Sequence, residues 1–164
     1  MKRTSLISVY ILLSMFCFSS ISYSNTDIDL LTKYSTELLQ NGNKTRYNTE
    51  DYQNSMKDDS QFHYILFMFQ HVGDLLLWSH DTIIATITDF TIDSPLKNKL
   101  LPFRQQRLNR IQNSIIRNLK YFTGIYGYIK GTALLHIIDK ERDVMRSSLY
   151  TLDKTIELMK KMNQ

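Results

Sequence analysis

The sequence predicts an all-α fold, an up-and-down helical bundle of three long helices plus one short N-terminal helix. Two observations lead there. Apolar residues recur every three or four positions through most of the chain beyond residue 24, the period of a single helix face. The strongest punctuation, Asp93-Ser94-Pro95 and Gly131, cuts that pattern into long pieces, and helices of about 30 residues span roughly 45 Å at 1.5 Å per residue.

Residues 1–24 stand apart. Lys2 and Arg3 precede an apolar run from Leu6 to Phe18, and Ser22 and Ser24 supply the small residues that a signal peptidase reads. We expect a cleaved signal peptide over 1–24, a single helical domain over 25–164, and a periplasmic or secreted protein. The run is short and interrupted by serine, so no integral membrane span is expected after cleavage. Bulky Met15 and Phe16 before Cys17 argue against lipidation there. Cys17 is the single cysteine, so the domain has no disulfide, thiolate nucleophile or cysteine-held metal.

The first helix is expected to be short. Asn25 or Thr26 caps it, Asp27 and Asp29 suit its dipole, Ile28, Leu31, Tyr34 and Leu38 form its stripe, and Gly42 stands past its end. Residues 43–60, rich in Asn, Asp, Lys and Thr, read as a polar loop with at most one helical turn near Glu50 to Met56. Ser60 opens a second helix running to about Phe90, with Phe62, Ile65, Leu66, Phe69, Leu76, Ile83, Ile84 and Ile87 on one face and Phe67, Met68, Leu75 and Trp78 on the other. A helix apolar on both sides is expected to be buried twice. Thr82 to Ile92 has some strand character. Ser94 then caps and Pro95 begins a third helix, which Pro102 should kink or break near Leu100. Beyond it, Leu108, Ile111, Ile115, Leu119, Phe122, Tyr126 and Ile129 make an inner stripe, with Gln106, Arg110, Asn113, Arg117 and Lys120 opposite. Gly131 turns the chain, and the last helix starts near Thr132 with a 3–4 seam of Ile138, Met145, Leu149, Leu152, Ile156 and Met159.

Charge is segregated along the chain. Asn25 to Asp93 holds 11 acids and 4 bases, whereas Ser94 to Ile138 holds 8 bases and no acid. The basic residues either neutralise the acidic half internally, stay solvated, or meet an anionic partner. Arginine predominates at the centre of the face formed by Arg107, Arg110, Arg117 and Lys120, which favours a protein interface with an acidic partner over nucleic acid or lipid.

The usual catalytic patterns are missing. None of Glu37, Glu50, Glu141 and Glu157 has a histidine three residues on, and neither His-Glu-x-x-His, a haem-attachment motif nor a glycine-rich phosphate loop occurs. No cofactor or metal is expected. Two polar residues fall on apolar stripes and need partners: His80, between Leu76 and Ile84, and Arg104, one turn before Leu108, with Asp89 or Asp93 as its candidate anion. The resulting expectation is a small exported helical protein, not an enzyme, that binds and inhibits a partner protein in the cell envelope, as an inhibitor or immunity protein does. Its contact residues would be Trp78, Arg107, Arg110, Arg117 and Lys120. Two alternatives follow from the same residues: a carrier holding a small ligand near Trp78, His80 and Arg104, or an envelope enzyme of unrecognised type with His80 as its acid–base group.

Overall fold

The computed structural model describes residues 25–55, 60–129 and 131–163, so the expected signal peptide lies outside the described residues. The described residues form four α-helices: α1 (Asn25–Ser55), α2 (Ser60–Thr91), α3 (Lys97–Ile125) and α4 (Thr132–Met162), with a 3₁₀ turn at Tyr126–Tyr128 after α3. Each runs antiparallel to the neighbours it packs against. Ser35 meets His80 across α1 and α2, His71 meets Ser114 across α2 and α3, and Asn48 meets Glu141 across α1 and α4.

The first helix is long, not short, and it continues through most of the segment expected to be a loop. Residues 43–55 are helical, and the rest of that loop, 56–59, lies outside the described residues. The physical reason is the composition of the buried face. Asn41, Thr45, Asn48, Thr49 and Tyr52 are all buried, at helical spacing, but four of the five are polar, so no apolar stripe marks the helix. Gly42 does not terminate it. An added Cβ there would lie 3.6 Å from the Leu76 Cβ and 3.9 Å from the Gly73 carbonyl oxygen, so α1 and α2 approach closely at this pair of glycines.

The second helix runs as expected, to within a residue of Phe90, and two expectations about the segment after it are corrected. The threonine-rich end of α2 is helical to Thr91. Thr82, Thr86, Thr88 and Thr91 each donate to the carbonyl four residues back, which satisfies their hydroxyls inside a helix. The helix ends with Asp93 at φ 52°, Ser94 N–H donating to Asp89 O and Asp93 N–H to Phe90 O, a Schellman closure with aspartate in the place glycine usually takes. Ser94 and Pro95 precede α3, which begins at Lys97. Pro102 neither breaks nor ends α3. It sits in the second turn on the solvent side, and the carbonyl it leaves without a donor belongs to exposed Asn98, where water replaces the lost bond.

The core is drawn from all four helices, including Leu31, Leu38, Phe69, Leu76, Ile83, Leu108, Ile115, Phe122, Ile138, Met145, Leu152 and Met159. The expected seam of α4 is in it. Tyr126 Oη donates to Asp139 Oδ2 at 2.7 Å while the Arg142 guanidinium donates to Asp139 Oδ1 and lies 4.9 Å from the Tyr126 ring centre, tying the 3₁₀ turn to α4.

Candidate binding groove

The α2–α3 surface departs most from expectation. The second side of helix α2 is buried only in part: Met68 and Leu75 are buried, Phe67 and Trp78 are not. Phe67 is 60 % exposed and Trp78 46 %, with Tyr64 also exposed on the same side, and Ile84 is exposed as well. Tyr64 and Trp78 look toward α3, where Arg107, Arg110 and Arg117 are exposed in turn, while Ile84 lies around the helix from them. Between the two rows lies a groove of about 340 Å³ lined by Leu75, Trp78, Arg107, Arg110, Ile111, Ser114 and Arg117. Leu75 and Ile111 are buried and form its floor.

The α2–α3 register places these groups. Tyr64 packs edge-on against Tyr121, with ring centres 5.1 Å apart. One step along, Phe67 stacks parallel to the His71 imidazole, and that ring lies 3.4 Å from Ser114 Oγ. Trp78 then faces Arg107 and Arg110. At the far end the groove passes Arg107 into a second hollow of about 260 Å³, lined by Asp81, Thr82, Ala85, Leu100, Phe103, Arg104 and Arg107.

Among the described residues no carboxylate lies within 4.0 Å of Arg107, Arg110, Arg117 or Lys120. The acidic half does not neutralise this face. Among the described residues it contributes one ion pair across helices, Asp89 with Arg104, whose guanidinium also donates to Ala85 O at 3.0 Å. Arg104 is therefore held at the α2–α3 interface. His80 is held elsewhere, at α1–α2, where its Nδ1 lies 2.7 Å from Ser35 Oγ. His80 thus faces α1, whereas Trp78 and Arg104 line neighbouring hollows along α2 and α3, and the structure does not bring all three together. Lys120 is exposed on α3 but does not line the groove.

A larger hollow of about 490 Å³ lies between α1 and α2, lined in part by Arg46, Glu50, Gln70 and Asp74. Its arginine is already paired, Arg46 Nε donating to Glu50 at 3.1 Å. Charge therefore distinguishes the two grooves: the larger is internally compensated, and the smaller carries three guanidinium groups with no anion. Among the described residues no group of three or more His, Asp or Glu is placed to hold a metal ion, and no helix is long and apolar enough to cross a membrane.

The sequence pattern pointed to Trp78 and the arginines but not to the groove's floor, because Leu75 and Ile111 look like ordinary core residues. It also missed Glu141. This carboxyl group is fully buried between α4 and α1, accepting from Thr45 Oγ1 at 2.9 Å and Asn48 Nδ2 at 2.8 Å. Burial pushes its pKa up to about 7, against the two hydrogen bonds, which lower it. The signal was present: Glu141 falls three residues after Ile138 and four before Met145, inside the α4 seam rather than beside it. No protein-family model, curated protein or solved structure matches the chain.

Proposed function

We propose that this chain is a small exported binding protein of the cell envelope, which acts by occupying a partner protein in the manner of an inhibitor or immunity protein and not by catalysis. One observation carries the reading: Trp78 and three arginines without carboxylate partners surround an apolar floor. Tryptophan and arginine dominate the energetics of protein interfaces, and the centre of such an interface is an apolar patch ringed by polar groups. Guanidinium groups that lack internal anions match carboxylates in pairs, so the partner's contact surface is acidic. Export is supported by the Lys2-Arg3 start, the apolar run and Ser22 and Ser24.

The test is retention of a partner from an envelope extract by the immobilised domain from Asn25 onward. A specific protein held at moderate salt, and lost when Arg110→Glu and Arg117→Glu are introduced together, is the expected result. A partner retained equally by the double variant, or none retained at all, overturns the reading.

A further inference from the structure

The two walls of the groove share a spacing. On α2 the row is Tyr64, Phe67, His71, Trp78 and Ala85; on α3 it is Phe103, Arg107, Arg110, Ser114, Arg117 and Tyr121. Steps of three, four and seven residues make both rows straight stripes along their helices. Each helix has a separate buried stripe already used in the core, Phe69, Leu76 and Ile83 on α2 and Leu108, Ile115 and Phe122 on α3. The outer rows are therefore second seams, adjacent and antiparallel, with a furrow between them. A seam of this period on two neighbouring helices is the surface that a further helix packs into, its side chains seated in holes between theirs.

We propose that the occupant of this groove is an acidic amphipathic α-helix of the partner protein, laid along α2 and α3 as a fifth helix; this rests on the reading of the groove as a protein-binding surface. The chemistry of the walls fixes the character of its flanks. The α2 wall is aromatic, with Tyr64, Phe67 and Trp78 exposed, and takes the apolar flank. The α3 wall is basic and takes the acidic one. Arg107, Arg110 and Arg117 are three and seven residues apart, about 4.5 and 10.5 Å along the axis at 1.5 Å per residue, so the matching carboxylates recur at the same intervals on a helix lying parallel to it. An apolar side chain of the occupant fills the hollow over Leu75 and Ile111, between Trp78 and Arg110. Asp81 and Phe103 close one end, and the Tyr64–Tyr121 pair marks the other. From position 64 to 81 the furrow runs about 25 Å, room for a helix of about 17 residues. A strand or an irregular acidic loop would meet the charges but would not match the seam, since its side chains repeat every second residue. This is the helix-in-groove mode of recognition, read by anchors at three- and four-residue steps.

Trp78 is the single tryptophan of the chain, so its emission reports on the groove directly. The experiment titrates the domain with an 18-residue peptide carrying leucine on one flank and glutamate on the other at helical spacing. A peptide of the same composition with two central prolines is the first control, and phosphatidylglycerol vesicles the second. The expected result is a saturating shift of Trp78 emission with the helical peptide. It weakens at least tenfold with the proline-broken peptide, and at least tenfold again in the Arg110→Glu/Arg117→Glu variant. If both peptides bind equally, the occupant is acidic but not helical, and this inference fails while the acidic-partner reading stands. If neither binds, although an envelope protein is still captured in an arginine-dependent way, the inference also fails alone. A shift with the vesicles only overturns both.

Discussion

At the scale of single residues, Glu141 is the side chain with the sharpest consequence. Its carboxyl group lies in a site with two neutral donors and no cation. The folded chain therefore holds a proton at about pH 7 that the unfolded chain, at the ordinary 4.5, has released. The sign follows from linkage: stability is greatest below about 4.5, falls as pH rises to about 7, and levels off above. The gap corresponds to roughly 3 kcal/mol at about 1.4 kcal/mol per pKa unit. Glu141→Gln keeps the shape and removes the titration, since the Thr45 hydroxyl can reverse its hydrogen bond. The difference in unfolding free energy between the two proteins, measured in urea at pH 5 and pH 8, should favour the glutamine form by about 2–3 kcal/mol more at the higher pH. An unchanged difference would show that the site is open to water. Nothing in the identities of Thr45 and Asn48 announces such a site; it exists because two helices far apart in sequence meet there.

At the scale of elements, the legibility of each helix followed the chemistry of its buried face. Helix α4 was readable because Ile138, Met145, Leu152 and Met159 are apolar at regular spacing. The second half of α1 was not, because it buries asparagine and threonine against the Glu141, Ser148 and Thr151 edge of α4. Helix α2 was placed correctly, but its burial was overestimated: an aromatic stripe at helical spacing looks the same whether it meets a core or solvent. The Gly42–Gly73 contact gives a prediction at this scale. Gly42→Ala places its Cβ at an ordinary 3.6 Å from Leu76 and removes the cost of glycine inside a helix, so the protein should gain about 0.5–1 kcal/mol in urea unfolding. Gly42→Leu carries three further carbons beyond that Cβ, where Leu76, Leu77 and the Gly73 carbonyl are already in contact, and should lose about 1–3 kcal/mol. Equal tolerance of both would mean that α1 and α2 are not in close contact there.

At the scale of the whole molecule, the buried stripes and the exposed groove occupy different faces of the helices. The buried stripes face inward, and Arg107, Arg110 and Arg117 stay exposed on α3 with no carboxylate within 4.0 Å among the described residues. Reversing Arg110 and Arg117 to glutamate should therefore move the unfolding free energy by no more than about 0.5 kcal/mol, as for other exposed sites. A substantially lower melting temperature would reveal pairing within the chain. The polar contact between α1 and α4 has one more consequence. Apolar seams tolerate sliding, because one leucine serves nearly as well as the next. Here Glu37 meets Thr151, Asn41 meets Ser148, and Thr45 and Asn48 meet Glu141. Sliding α1 by one turn, about 5.4 Å, would set every one of these groups opposite the wrong neighbour and strand a buried carboxyl group without its donors. The ladder acts as a key: it gives up some burial energy so that the two helices close in one alignment only, and that alignment fixes where α2, and with it the groove, must stand.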